Sequence, residues 1–323
     1  MYSEFDIIQR YFRRPTTRTV LGIGDDAALI VPTAGTELAI STDTLVSGVH
    51  FFADTDANKL GHKALAVNLS DMAAMGAKPR WALLALTLPI ELIQHQQAWL
   101  KDFSDGFFKL AQQHQVELIG GDTTAGPLNI GIQIIGEVAQ GKALRRSGAQ
   151  PGDDIWVSGQ LGDAALALRH EQHQLVLEMS EIQQCMFALL MPAARVELGQ
   201  RLIGLAHSAI DISDGLMADL GHILTSSRVA ASIQLSEIPC SAVMKKYLHY
   251  PMAIQCLLAG GDDYELCFTA PETRCREIED LASELSVSLT RIGKILPGEG
   301  LLVKNAAGQV IILETTGYDH FTA

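Results

Sequence analysis

The sequence predicts an α/β (α+β) protein of two domains, and three observations carry that prediction. At 323 residues the chain exceeds one typical domain, so each half can bury a sizeable core. An apolar share of 48% with 28 glycines and few aromatics suits tightly turned α/β or α+β units. Strand-length apolar runs alternate with helical periodicity, and the turn-rich stretch Gly141–Asp154, which contains SGAQPGDD, divides them into domains 1–147 and 148–323.

In the first half, Phe5, Ile8 and Tyr11–Phe12 give residues 4–13 one helical apolar side, followed by a basic, Thr-rich connection through Thr19. The stretch Leu21–Asp43 reads as a hairpin. Leu29–Val31 and Leu38–Ile40 are its strands, Pro32–Gly35 is its turn, and Asp25, Asp26 and Asp43 gather at one end. Carboxylates gathered beside a core repel one another and lose hydration unless a cation compensates them. Leu45–Phe52 follows, with His50 in SGVHF, read either as a locally satisfied imidazole or as a contact to substrate. Residues 57–76 read as a helix, a break at Asn68–Ser70, and a second helix capped by Ser70 or Asp71 and closed by Gly76. Trp81–Leu88 is a strand stopped by Pro89, and Gln96–His114 a helix built on Trp99, Phe103, Phe107 and Leu110. Val116–Gly121 is a strand arriving at Gly120-Gly121-Asp122-Thr123-Thr124, where bare backbone can approach a phosphate and Asp122 can bind a metal. Ile130–Val138 closes the half.

The second half opens with strand Ile155–Val157, then helical segments over 165–190 and 192–205. In AIDISDGLMADLG, Asp211 and Ser213 alternate with Ile210 and Ile212 as in a strand, and Asp214-Gly215 starts a helix that Asp214 can cap. The arrangement resembles VNLSDMAAMG at 67–76, as an internal duplication would leave it. Val229–Leu235 reads as a strand and Ser241–Tyr250 as a helix; LLAGGDDYELCF then carries an acidic turn into a strand. A helix over 271–285 and strands Leu289–Ile295 and Leu301–Val303 lead to the tail, where Tyr318, Asp319, His320 and Phe321 either close a pocket or pack the terminus.

A net charge of −13 argues against binding nucleic acid or an anionic membrane through a basic surface. No apolar run is long enough to span a bilayer, and the charges in residues 1–20 leave no signal core. Five cysteines, an odd count without a Cys-x-x-Cys pair, read as free thiols of a reducing cytoplasm.

The acids Asp26, Asp43, Asp71, Asp122, Asp211 and Asp214 stand beside small residues at strand or turn ends. That donor set favours several Mg²⁺ ions over zinc, which would recruit His or Cys. Such ions let phosphates approach one another, so the inferred chemistry is phosphoryl transfer, with the metals and Arg146 neutralising the moving group. The Walker, G-x-G-x-x-G and protein-kinase fingerprints are absent, as is the G-x-S-x-G of a nucleophilic hydrolase. A metal-dependent phosphatase or pyrophosphatase uses the same acids to activate water and stays open at this point. Structural calcium binding lacks the EF-hand spacing.

Taken in order, GIGDDAAL from Gly22, STDTLVSGVHF from Ser41, LAVNLSDMAAMGA from Leu65, LIGGDTT from Leu118, RSGAQPGD from Arg146, IDISDGL from Ile210, GGDDYELCF from Gly260 and GYDHF from Gly317 resemble the thiamine-monophosphate kinase family. The resemblance covers nearly the whole chain. It implies a two-domain aminoimidazole ribonucleotide synthetase-like fold, with an N-terminal mixed sheet forming a dimer barrel and a C-terminal α/β domain. It also implies a cytoplasmic homodimer that transfers the γ-phosphoryl group of ATP to thiamine monophosphate. Residue by residue, it implies Asp26, Ser41, Thr42, Asp43, Asp71, Asp122, Asp211 and Asp214 around several Mg²⁺ ions. Gly121, Asp122, Arg146 and Ser213 then hold ATP, and Asp43, Asp122, Arg146 and Asp211 form the catalytic group. His50, Asp262 and Tyr318 lie on the thiamine side, Asp262 standing where the family usually has Glu.

Overall fold

The computed structural model describes residues 3–95, 97–313, 315–318 and 320–321, so the expected helix start Gln96 and the tail residue Asp319 lie outside the described residues. The backbone forms two compact units. One runs to Met72 and includes Ala77–Gly141; the other takes Ala73–Gly76 and everything from Lys142.

The first unit comprises α1 (Glu4–Ile7), a π-helical turn over Ile8–Phe12, β1 (Thr36–Val46), α2 (Ala57–Ala74), β2 (Lys78–Leu88), α3 (Ile90–His95), α4 (Gln97–His114), β3 (Glu117–Ala125) and β4 (Asn129–Ala139). Its sheet is mixed, in the order β1-β4-β2-β3, with β2 and β3 parallel and the other pairs antiparallel. The expected barrel does not form. In the sheet β1 pairs only with β4 and β3 only with β2, so both ends stay open, and four strands are too few to curl round a filled interior.

Nor does the expected hairpin form. Leu29 exchanges backbone hydrogen bonds with Leu21 in an isolated bridge, and Leu38–Ile40 belong to β1, whose partner is β4 about ninety positions on. Pro32, which has no N–H to give a ladder, sits in the connection between them. Asp26 therefore lies in the loop between Leu21 and Leu29 and is not brought to Asp43 by a shared turn.

Helix α2 runs unbroken through Asn68–Ser70, so Asp71 is an interior helical residue and not a cap. Asn68 gives its side-chain N–H to the Ala64 carbonyl one turn back, and Leu65, Leu69 and Met72 are fully buried. Burial of that face outweighs the local preference of Asn and Ser for a turn. Where α2 meets α4, Gly61 abuts the Phe103 carbonyl and Gly106 the Asn58 carbonyl, so no side chain fits at either crossing point. The buried stripe Leu100, Phe103, Phe107 and Leu110 gives α4 its core face.

The second unit comprises β5 (Asp154–Ser158), α5 (Asp163–Glu171), α6 (Met179–Leu190), α7 (Val196–Leu202), β6 (Ser208–Asp211), α8 (Leu216–Ser227), β7 (Ala230–Gln234), α9 (Ala242–Tyr247), α10 (Pro251–Ala259), β8 (Leu266–Ala270), α11 (Cys275–Leu285), β9 (Leu289–Leu296) and β10 (Gly300–Lys304). Its six-stranded sheet has the order β10-β7-β9-β5-β8-β6 and is antiparallel except for β10 with β7. Strands β5, β6 and β8 are buried throughout, and Val157, Ile210 and Cys267 share one core with Leu216 and Leu220 of α8. This packing fixes the end of β6, where Asp211 leads into the Ser213–Gly215 turn.

Candidate active site

The acids of the first unit sit on strands and on a helix already held by packing. Ser41 and Asp43 are two apart on β1 and therefore share a face. Asp71 reaches that face from α2, and the Ser41 hydroxyl donates to its Oδ2 at 2.6 Å. Thr42 stands on the other face, its hydroxyl donating to the Ile132 carbonyl at 3.1 Å. His50 lies in the turn after β1, where its Nδ1 accepts the Val46 N–H at 3.1 Å. Asp26 is exposed in the Leu21–Leu29 loop.

Gly121 and Asp122 lie in β3 at the far edge of the sheet. The register runs Asp43–Ile132–Leu84–Gly121 in one row and Thr44–Gly131–Ala85–Asp122 in the next. Three strand spacings therefore separate Asp122 on β3 from Asp43 on β1, about 14 Å. At Gly121, φ is 142° and a Cβ would press on the Leu84 carbonyl, so only glycine passes here.

In the second unit the structure brings three motifs onto one turn. Ile212 donates its N–H to the Glu265 carbonyl and accepts that of Tyr264, both at 2.8 Å. The Ser213 carbonyl accepts the Asp262 N–H at 2.9 Å, and the Asp214 carbonyl accepts the Tyr318 N–H at 3.1 Å. Asp262 and Tyr264 are both in the left-handed region, with φ of 70° and 51°, and the Tyr264 hydroxyl donates to Asp262 Oδ1 at 3.2 Å.

The turn itself is held by a residue that the sequence reading missed. Asp219, in the first turns of α8, turns its Oδ2 back to accept the N–H groups of Ser213, Asp214 and Gly215 at 3.0, 3.0 and 3.1 Å. The helix N-cap is Gly215, and Asp214 caps nothing with its side chain. Burial pushes the Asp219 carboxyl up to about 7, with the negative charge of Asp214 adding to the rise and the three N–H donors opposing it. Asp214 is also raised, first by burial; His222 and His320 oppose the rise, Asp262 adds to it, and Arg146 opposes it. Asp214 thus lies in the joint field of Arg146, Asp262 and two histidines. Asp211 is buried at the end of β6.

A second missed residue, Glu265, anchors the other end of the GGDDYE turn. Its carboxylate accepts Arg195 Nη2 at 2.5 Å and Nε at 2.6 Å, and the Ser158 hydroxyl at 2.5 Å. Asp263 takes the Gly162 N–H on both oxygens, at 2.9 and 3.0 Å, and burial raises its carboxyl well above the ordinary range. The only sequence sign of Asp219 was an acid four positions after Gly215, one step beyond the capping-box spacing from that N-cap.

Among the described residues no three His, Cys, Asp or Glu side chains converge as a ready metal cage. The donor set nonetheless suits a hard cation: carboxylates and hydroxyls, most of them accessible, without a thiolate among them.

The mixed sheet of the first unit, with Asp43 on β1, Asp71 on α2 and Asp122 beside a bare-backbone glycine on β3, lies in the region whose sequence places the protein in the AIR synthase-related class. The family model described as AIR synthase related protein, N-terminal domain, matches residues 24–138. Hydrogenase maturation protein HypE in complex with ATP shares the fold, with a TM-score of 0.76 at 22% identity over 97% of this chain and 94% of that one. Thiamine-monophosphate kinase of Escherichia coli K12 is 45% identical over 323 residues, 99% of this chain and 98% of that protein. The crystal structure of thiamine-monophosphate kinase from Stenotrophomonas maltophilia K279a superposes with a TM-score of 0.84 at 48% identity, covering 94% of this chain and 95% of that one. AaThiL complexed with AMPPCP and TMP gives 0.78 at 31% identity, over 90% and 89%. The chain belongs to the thiamine-monophosphate kinase family.

Proposed function

We propose that this protein is an ATP-dependent kinase that phosphorylates thiamine monophosphate, giving thiamine diphosphate and ADP. The observation that carries the reading is likeness over the whole length, 45% identity across 99% of the chain, to a thiamine-monophosphate kinase. It is supported by the solved relative that holds AMPPCP and TMP together.

The acceptor is a phosphate whose oxygen is already largely ionised at neutral pH, so attack on the γ-phosphorus needs positioning more than a general base. Direct in-line transfer follows, and no residue is assigned as base. Mg²⁺, when bound, supplies charge neutralisation between the phosphates. Asp26, Ser41, Thr42, Asp43, Asp71 and Asp122 would hold these ions from the region 1–147, and Asp211 and Asp214 from 148–323. Arg146 neutralises the transferring group, while Gly121, Asp122 and Ser213 take the nucleotide phosphates. His50, Asp262 and Tyr318 orient the thiamine ester. The Ser41–Asp71 hydrogen bond and the field around Asp214 support the roles of these residues.

The working form in this reading is a cytoplasmic homodimer. Edge strand β1 leaves Leu38 and Ile40 on one face in water, as a surface awaiting a second copy would. Five free cysteines suit a reducing compartment, and among the described residues no helix is long and apolar enough to cross a membrane. Incubating the protein with ATP, Mg²⁺ and thiamine monophosphate and separating the thiamine esters should show thiamine diphosphate forming one-for-one with ADP. Release of inorganic phosphate without thiamine diphosphate would establish the phosphatase chemistry instead. Light scattering of the wild type against Ile40→Glu reads the dimer.

A further inference from the structure

We infer that Asp219 is the positioning residue of the substrate site: its one carboxylate oxygen sets the Ser213–Gly215 turn, and the turn's carbonyls in turn seat Asp262 and Tyr318. The inference rests on the proposed roles of Asp214, Asp262 and Tyr318. The geometry is a relay through backbone. Three consecutive N–H groups converge on Asp219 Oδ2 within 3.0 to 3.1 Å. That arrangement turns the carbonyls of the same peptides outward, and those of Ser213 and Asp214 receive the N–H of Asp262 and of Tyr318.

Asp219 is 3% exposed, so its aim is fixed by the packing of α8, whose neighbours Leu216 and Leu220 are fully buried. A Cβ at Gly261 would strike the Ser213 carbonyl of this turn, and one at Gly317 would strike Ala218 of α8 and crowd the Asp214 carbonyl. The Ser213–Gly215 turn thus ties the 260–265 motif and Tyr318 to the end of β6 by hydrogen bonds, and Asp219 is the side chain that holds its three N–H groups.

Loss of a residue that orients ligating or binding groups typically costs about 10–100-fold in affinity or activity. Asp219→Ala should therefore expose the 213–215 amides to rapid hydrogen exchange, read by mass spectrometry on peptides spanning 209–220. It should also raise the KM for thiamine monophosphate, and weaken calorimetric binding of Mg²⁺ with a non-hydrolysable ATP analogue, each by about 10-fold or more. Asp219→Asn keeps an acceptor oxygen where all three bonds meet, and should retain slow exchange and stay within about 3-fold of wild type. Asp219→Glu shifts the carboxylate by one methylene and should behave like the alanine variant, which keeps the question answerable if the alanine variant does not fold.

Native-like exchange in both the alanine and glutamate variants would overturn the inference. So would a loss confined to kcat with the KM unchanged, or an asparagine variant no better than alanine. Asp214→Asn, run in parallel, separates the underlying reading: unchanged Mg²⁺ affinity in that variant removes Asp214 from the metal site without touching the exchange result.

Discussion

Replacing Arg195 by alanine tests what holds the GGDDYE turn in place. Glu265 is buried, and its side chain is 8% exposed against 22% for Arg195. Removing the guanidinium leaves the carboxylate with the Ser158 hydroxyl as its remaining side-chain donor. Breaking a buried pair from one side costs about 3–5 kcal/mol, because an uncompensated charge stays behind. Partial water access to Arg195 places the expected loss at the low end, about 3 kcal/mol. A unit of this size shifts by about 2–4 °C per kcal/mol, so its melting midpoint should fall by roughly 6–12 °C.

Arg201 supplies the control, since it meets Glu284 at the same 2.5 Å but with side chains 49% and 58% exposed. Arg201→Ala should cost less than about 1 kcal/mol. Urea unfolding followed by circular dichroism gives both numbers. Adding Glu265→Gln to Arg195→Ala should recover part of the loss, because the orphan charge is gone. Equal stability of the two single arginine variants would refute the reasoning, since distance and not burial would then set the energy.

Other expectations follow from single features. In the proposed metal role, Asp43→Asn should cut turnover at least about 100-fold in a coupled ADP assay, the order of losing one electrostatic transition-state contact, while leaving the unfolding midpoint near wild type. Gly61→Ala should destabilise by about 1–3 kcal/mol through overpacking at the α2–α4 crossing, whereas Gly221→Ala in α8, where a Cβ meets nothing within 4 Å, should be neutral or stabilising in the same melt. Hydrogen bonds from Lys246, the Glu178 N–H and the Tyr247 hydroxyl pull Glu181 down from 4.5 to about 2. Its contribution is therefore present above pH 4.5 and lost as pH falls toward 2, so Glu181→Gln should lower stability at pH 7 and flatten the acid limb of urea midpoints across that window.

What was legible in the sequence was whatever local pattern decides. The strand at 81–88, the helix built on Phe103 and Phe107, and the strand-to-helix passage at Asp211–Leu216 all appear where periodicity puts them. The partner of 38–40 was not legible, and the hairpin expected with 29–31 is absent, because an apolar run carries no record of its partner and β4 outcompetes the adjacent segment from far along the chain. Asn68 and Ser70 signal a break that the burial of Leu65, Leu69 and Met72 overrides. Helix α10 went unread although Pro251 stands at its first turn, since the glycines and acids that follow drew the whole stretch into a turn-to-strand reading. The candidate acids were picked out by the small residues beside them. Asp219 and Glu265 could not be, because each is identified by the backbone and the arginine it holds, which are contacts that only folding creates.

The same distinction explains how Asp262 can stand where the resemblance to the family implies glutamate. Its position comes from main-chain geometry: the N–H is tied to the Ser213 carbonyl, φ is 70°, and the side chain takes the Tyr264 hydroxyl at 3.2 Å. Left-handed backbone is tolerated by aspartate and asparagine better than by longer side chains, so the shorter acid relieves local strain at the cost of reach. Asp262→Glu should then lower stability by up to about 1 kcal/mol and leave the KM for thiamine monophosphate within about 3-fold, because the loop, not the methylene, fixes where the carboxylate stands. Tyr264→Phe removes the hydroxyl that steadies Asp262 and should raise that KM more than the glutamate exchange does, by several-fold, on the order of one hydrogen bond to a charged group. A glutamate variant that binds the substrate ten times more tightly, with Tyr264→Phe silent, would show that side-chain reach governs the contact and that the backbone anchoring is incidental.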